Sequence, residues 1–412
     1  MSSPMTAPVD RAAPPTPAAP AATPPAPRFQ ATLLMAGSCL PILGAVLIAP
    51  VLPKMQDHFA GTPGAEALTL LALSIPALAL ALLAPFAGAL VDRFGRKRLL
   101  VGASVVYAPI GTAPLWLDSL AAIVASRAVL GIVEAVIMTC CTTLIGDYYS
   151  GKQRERYLAL QAICSALSAT AFFAIGGAAG SAGWRAPFWA YAVSLLLAPL
   201  MAAVLTTPQR TAPRSTPAGT TDSPFPWRRM AAPCTLTFFG AVVFYTVPVL
   251  MSKLLDALGV TDTPTIGLST AVASAATVVG AIAFTRLADR AEQLLPAVLV
   301  LCAAGFGVMW LADSTPLLVV GAVINCLGGG MLLPTLLTRA MGLLDFADRG
   351  RGTGLWNTAF FLGEFVCPLV LLGVSHSVGG LAGAVGLLGA ATVLVAAGLQ
   401  FGRRPVQAPP AA

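Results

Sequence analysis

Three ionisable side chains, Arg127, Glu134 and Glu364, lie deep inside otherwise apolar runs. A charge inside hydrocarbon costs at least about 2.5 to 3.5 kcal/mol on insertion scales, so such a group faces a cavity, has a partner or carries a proton. Burial disfavours the charged form of a carboxyl group, whereas a nearby guanidinium favours it. A cavity whose hydration changes can therefore load and release a proton at such a group. We predict proton coupling at Glu134, with Glu364 as its counterpart.

The spacing of these residues constrains how they act. Arg127 and Glu134 are seven residues apart, which places them on one face of a helix and about 10 Å apart along its axis. A water molecule or a second helix is needed to join them. Glu364 precedes Pro368, whose ring frees backbone groups that a polar neighbour could satisfy. The alternative for both carboxyls is a neutral interhelical hydrogen bond with no role in turnover.

The sequence lacks the residue patterns that enzymatic or metal-dependent chemistry needs. Both histidines, His58 and His376, fall at the ends of predicted loops, and the eight cysteines lie inside apolar runs without metal spacing. No phosphate-binding Gly-x-x-x-x-Gly-Lys-Ser/Thr loop occurs. We therefore expect no enzyme activity, no metal and no cofactor, and an ion gradient, H+, as the energy source.

The composition requires a membrane. Of the 412 residues, 57% are hydrophobic and 10% are charged, with a mean hydropathy of +0.82, which lies outside the range of soluble domains. The net charge of +7 comes from cations spaced between apolar segments, which excludes a nucleic-acid-binding face. The partners expected are the lipid bilayer and a small-molecule substrate, with a monomer and no obligatory protein partner.

Apolar runs of about 20 residues, each long enough to cross the bilayer, follow one another through the chain. They predict an all-α integral membrane protein with twelve transmembrane helices, at about 31–52, 68–87, 99–117, 120–145, 158–180, 186–206, 230–250, 266–284, 295–311, 317–337, 353–374 and 380–401. Residues 30–206 and 230–401 form two six-helix bundles, joined by a cytoplasmic linker at 207–229. Residues 1–29 are expected to be a disordered cytoplasmic tail, and 402–412 a short basic one.

The cations set the orientation of these helices. Of the 24 Lys and Arg residues, 20 fall on the side of the basic loop at 88–98, three on the other side and one inside a helix. By the positive-inside rule the loop is cytoplasmic. We therefore predict a multi-pass protein of the plasma (inner) membrane with both termini in the cytoplasm.

The loop at 88–98 reads Gly-Ala-Leu-Val-Asp-Arg-Phe-Gly-Arg-Lys-Arg. Gly88 and Gly95 permit tight turning, and Asp92 is placed to meet the positive end of another helix. Part of the loop recurs 197 positions later, where residues 287–290 read Leu-Ala-Asp-Arg. The repeat indicates two halves related by duplication, with a pseudo-two-fold axis along the membrane normal.

This loop resembles the signature between helices 2 and 3 of the major facilitator superfamily. The matching positions are Gly88, Leu90, Asp92, Arg93, Gly95, Arg96 and Lys97. Residues 127–131 and 183–189 resemble the twelve-helix drug and metabolite efflux branch, a drug:H+ antiporter-like group. The Gly-Pro of the antiporter motif is missing, because 165–180 contains no proline.

The resemblance implies roles for particular residues. Asp92 and Arg93 are expected to latch the two halves together by contacting the start of helix 11. Helices 1, 4, 7 and 10 are expected to line a central cavity, which gives Arg127, Glu134, Tyr245 and Asn325 as substrate-cavity candidates, with Gln161, Trp356 and Asn357 as possible additions. Their alternative role is to hold helices together.

These observations predict a secondary active transporter of a small organic solute that works by alternating access. Proton-coupled efflux of drugs or metabolites, and hence multidrug resistance, is the favoured function. Uptake or facilitated diffusion of a metabolite is the alternative, favoured by the missing Gly-Pro. A non-transporting membrane receptor is a remote alternative, since the predicted extramembrane segments are short.

Overall fold

The computed structural model describes residues 28–86, 91, 93–206, 225–287, 291–345 and 348–401. Within these ranges there is no strand, and twelve helices are long and apolar enough to cross a membrane. In chain order they are α1 Arg28–His58, α2 Ala65–Leu83, α3 Arg96–Leu115, α4 Leu120–Tyr148, α5 Gly151–Gly180, α6 Ala186–Val204, α7 Trp227–Ala257, α8 Thr263–Leu287, α9 Ala291–Trp310, α10 Thr315–Gly342, α11 Arg349–Ser375 and α12 Leu381–Phe401. The predicted all-α, twelve-helix fold is confirmed.

Several helices extend beyond their predicted limits. α5 begins at Gly151, so part of the predicted loop before residue 158 is its first two turns. α7 begins at Trp227 and α11 at Arg349, each a few residues earlier than predicted. Apolar runs mark only the part of a helix that lies in hydrocarbon, and the backbone hydrogen bonds continue past it.

Prolines interrupt the backbone ladders of two helices that matter below. α1 breaks after Val46 and resumes at Leu52, with a 3-10 turn at Ala49–Val51 between the two segments. α2 contains Pro76, whose missing N–H leaves the Ala72 carbonyl without its helical donor. Carbonyls in α1 and α2 are thereby available to side chains from other helices.

The two six-helix bundles meet along α5 with α8 and α2 with α11. Gly177 of α5 packs against Gly267 of α8 so closely that a Cβ on Gly177 would lie 2.7 Å from the Gly267 Cα. Near this contact the Lys253 Nζ of α7 lies 2.8 Å from Glu66 Oε1 of α2 and 2.7 Å from Gln56 Oε1 of α1. We call the end of the bundles at which these Lys253 contacts lie the Lys253 end, and it is predicted to face outward. The opposite end is the Arg96 end.

Candidate functional site

A cavity of about 360 Å³ lies between the two bundles. It is lined by α1, α2, α4 and α5 from one bundle and by α7, α8, α10 and α11 from the other. Its walls are largely aliphatic and aromatic, and the polar side chains among them are Glu134, Ser165, Tyr245, Thr270, Ser274, Thr277 and Glu364. No lysine or arginine is among the described residues that line it. Its volume is in the range of sites for small organic molecules, about 300 to 1,000 Å³.

Two carboxyl groups enter this cavity from opposite bundles. Glu134 of α4 and Glu364 of α11 are 1% and 7% exposed. Glu134 Oε1 is buried without a hydrogen-bond partner among the described residues, and Glu364 lines the same cavity as Tyr245 of α7. A buried ionised carboxylate is costly unless it is paired or hydrogen-bonded.

Arg127 is fully buried but does not line the cavity. Its Nε donates to the Ala72 carbonyl at 3.3 Å, and its Nη1 donates to the Tyr191 hydroxyl at 2.7 Å. Its Nη2 donates to the carbonyl of Gly44, which lies in the last turn before the break in α1. Arg127 therefore satisfies carbonyls that Pro76 and the break leave exposed, and it ties α4 to α1, α2 and α6.

Gly44 stands between Arg127 and Glu134. Its carbonyl accepts from Arg127, and a Cβ on Gly44 would lie 1.7 Å from Glu134 Oε1. Only a glycine leaves room for the carboxyl at this point. Among the described residues Arg127 and Glu134 form no ion pair. Instead α1 lies between them, and a second helix was one of the two links that their spacing predicts.

Of the seven predicted substrate-cavity candidates, only Glu134 and Tyr245 line the cavity. Gln161 of α5 donates to Ser38 and Thr142, at 2.6 and 3.1 Å, and so joins α5 to α1 and α4. Asn325 of α10 donates to the Cys302 carbonyl of α9 at 3.1 Å. These two side chains connect helices, as the alternative interpretation expects.

The aromatic side of the cavity lies on α7 and α11. Trp356 is buried behind the lining and stacks on Phe360, a lining residue, with ring centroids 5.5 Å apart. Asn357 is half-buried and also lies outside the lining. A substrate role for Trp356 or Asn357 stays a prediction.

The signature loop is only partly described. Gly88, Leu90 and Asp92 lie outside the described residues, as do residues 288–290 of the repeat. Gly95 has φ +86° immediately before α3, a backbone conformation that favours glycine over other residues. Arg96 forms an ion pair with Asp147 at the end of α4, within its own bundle.

α2 contacts α11 through residues other than the predicted Asp92 and Arg93. Thr358 Oγ1 of α11 donates to the Ala81 carbonyl of α2 at 3.1 Å. Arg93 is exposed beside Phe94, and Lys97 is half-buried. The latch itself stays a prediction because it depends on Asp92.

One polar stripe in the lining was not predicted. Thr270, Ser274 and Thr277 of α8 follow one another at spacings of four and three residues, which places them on one face of the helix. Ser274 also pairs with Thr170 of α5 at 3.2 Å, across the boundary between the bundles. The spacing of these hydroxyls is visible in the sequence and could have identified the face of α8 that meets the cavity.

Comparison with known proteins identifies the family. The sequence profile of the Major Facilitator Superfamily matches residues 34–368 and again 234–411. The chain belongs to the Major Facilitator Superfamily. It is accordingly a multi-pass membrane transporter and not an enzyme.

Similar proteins include a tetracycline resistance protein and solved transporter structures. The chain is 33% identical to the class C tetracycline resistance protein of Escherichia coli over 159 residues, which are 37% of this chain and 39% of that relative. The fold resembles the crystal structure of a D-xylose–proton symporter with a TM-score of 0.76, at 16% identity, over 90% of this chain and 97% of the other.

A second solved structure is similar over a comparable length. The inward-facing, unoccupied bacterial homolog of the human lysosomal transporter Spinster has a TM-score of 0.69, at 17% identity, over 91% of this chain and 96% of the other. At these identities the structural similarity establishes the fold alone.

Proposed function

We propose that the protein exports a small, largely apolar organic solute in exchange for protons. One observation carries the proposal: Glu134 and Glu364 enter the same apolar cavity from opposite bundles, with no cation among the described lining residues. When the two bundles rock, the two carboxyls move relative to each other and to water. Their protonation can therefore change with each transport cycle. The energy source is the H+ gradient, and no bound cofactor takes part.

The chemistry of the cavity restricts the solute. Ionised carboxylates attract a cationic solute and repel an anionic one. Phe244, Phe360 and Phe361 offer aromatic faces for a flat apolar solute, and the hydroxyls of Thr270 and Ser274 offer hydrogen bonds. Protonation of the carboxyls weakens the attraction for a cation, so proton and solute bind alternately.

The similarity to a tetracycline resistance protein supports export, although the aligned segment spans 39% of that relative. Uptake of a metabolite is the second candidate, because α5 contains no proline. We further propose a monomer in the plasma (inner) membrane with both termini in the cytoplasm.

Everted membrane vesicles test the proposal directly. An imposed pH gradient, acidic inside, should drive tetracycline or ethidium, as two members of a solute panel, into vesicles that contain the protein. Glu134→Gln and Glu364→Gln should each abolish the dependence on the gradient, whereas Glu155→Gln, an exposed carboxyl in the first turns of α5, should leave it intact. Solute movement out of these vesicles with the protons would instead establish uptake, and unaltered proton dependence in both variants would refute coupling at these carboxyls.

A further inference from the structure

A second groove, of about 240 Å³, runs between α3 and α4 on the outer surface of the N-terminal bundle. Arg98 lies at one end, and every other lining side chain is apolar. Val106 and Ile132, which line it, are 44% and 48% exposed, so the groove opens on the face of the bundle that contacts lipid. It shares no lining residue with the transport cavity.

Gly102 forms the floor of the groove. A Cβ added at Gly102 would meet no atom within 4 Å, so the space above it belongs to whatever lies against the helix. From Arg98 to Val106 the helix rises about 12 Å. The groove is therefore about 12 Å long. A hydrocarbon chain can lie along this apolar length, with its polar end at Arg98.

The charges at the mouth of the groove favour an anion. The first turn of α3 contains Arg96, Lys97 and Arg98 without an acidic residue, and Gly95 provides no side-chain cap. Cations at the positive end of a helix dipole are unfavourable, and a bound anion relieves this. Arg96 is already paired with Asp147, whereas Arg98 is exposed and has no ion pair within the described part of the chain.

We infer that this groove binds one anionic phospholipid, with its phosphate at Arg98 and one acyl chain along Gly102 toward Val106. The Arg96 end of the bundles is where the headgroups of one leaflet lie, and basic sites between transmembrane helices at that depth recognise anionic headgroups. A free phosphate ion has no acyl chain to fill the apolar groove, and a zwitterionic lipid has no net negative charge to pair with Arg98. The inference is independent of the transported solute and of proton coupling.

Native mass spectrometry of the full-length protein, released from detergent with added lipid, tests the inference. Wild-type protein should retain one palmitoyl-oleoyl phosphatidylglycerol more strongly than the phosphatidylcholine of the same chains. Arg98→Gln should weaken that retention about fivefold, the effect of one basic residue near an anionic lipid. Gly102→Leu should weaken it as well, because the new side chain occupies the groove.

Two matched substitutions serve as controls. Arg286→Gln removes an exposed cation at the Arg96 end of α8, and Gly398→Leu fills an exposed glycine position on α12 with nothing within 4 Å of its Cβ. Neither should change retention. If a variant fails to fold, wild-type protein is instead photo-crosslinked with a diazirine-bearing phosphatidylglycerol. The crosslinked adducts should map to α3 and α4.

The remaining outcomes overturn the inference. Equal retention of the two lipids removes the role of the charge, and full retention by Gly102→Leu removes the role of the groove. Displacement of the bound species by millimolar inorganic phosphate identifies a free-phosphate site instead. Crosslinks spread evenly over all helices indicate ordinary annular lipid.

Discussion

Neutralising Glu66 should open the Lys253 end of the protein. Lys253 of α7 is one link between the bundles at this end, through its 2.8 Å contact with Glu66 and its 2.7 Å contact with Gln56. The pair exists only while this end is closed, so its free energy enters the equilibrium between closed and open states directly. Glu66→Gln removes the ion pair and leaves the hydrogen bond to Gln56 in place.

The size of the effect follows from exposure. The Lys253 side chain is 10% exposed and the Glu66 side chain 46%, so the pair is partly screened by solvent. Such pairs contribute up to about 1 kcal/mol. A loss of about 1 kcal/mol multiplies the open:closed ratio about fivefold. High salt should reduce the difference between wild type and variant, since it screens the exposed half of the pair.

Electron–electron resonance distances between spin labels measure this ratio. Gly61→Cys and Thr261→Cys place labels on exposed loops of opposite bundles at the Lys253 end. The half-buried Cys39, Cys164 and Cys234 are replaced by alanine, and the other five cysteines are buried. The longer-distance population should rise about fivefold in Glu66→Gln from a small starting fraction.

Asp118→Asn is the matched control. Asp118 lies 2.7 Å from Arg185 at the same end of the protein, but both residues belong to the N-terminal bundle. Breaking this pair should leave the distance distribution unchanged. An equal rise in both variants would mean that charge alone, and not the link between bundles, sets the population. No rise in Glu66→Gln would refute the gating role of Lys253.

Three further predictions concern the site and the contact between the bundles. Arg127→Lys should lower the thermal unfolding midpoint in detergent by several degrees, because one ammonium cannot reproduce a fork that bonds to three helices; an unchanged midpoint would contradict the anchoring role. Gly44→Ala should displace the Glu134 carboxyl, which lies 1.7 Å from the new Cβ, and reduce proton-driven transport while the protein still folds; wild-type transport would contradict it. Gly177→Leu should prevent close approach to Gly267 and favour the state open at the Lys253 end, measured with the same spin labels; a closed distribution would show that this contact does not determine closure.

The sequence was sufficient to predict the twelve helices and the two acidic residues of the cavity. Spans follow from the cost of exposing backbone and charge to hydrocarbon, which depends on composition alone. The same cost singled out Glu134 and Glu364, because a carboxyl within a span must face a cavity or a partner. Tyr245 was found through the resemblance, which names α7 as a lining helix.

The positions of Arg127, Gln161 and Asn325 could not be predicted in this way. Their helices are apolar on nearly every side, so the hydrophobic pattern does not show which face meets the cavity and which meets a neighbouring helix. Two of the three partners of Arg127 are backbone carbonyls, which become available through Pro76 and the break in α1 only once three helices are packed together. Such contacts belong to tertiary structure and leave no mark in the local sequence.

Solute-induced proton release is the most direct test of the central claim, that proton and solute bind alternately at Glu134 and Glu364. A solute transported in the vesicle assay is added to purified protein in weakly buffered detergent, and a pH indicator records the protons released. Wild-type protein should release protons when the solute binds, and the double variant Glu134→Gln, Glu364→Gln should release none. Equal release by both proteins, at equal solute binding, would mean that neither carboxyl exchanges a proton for solute.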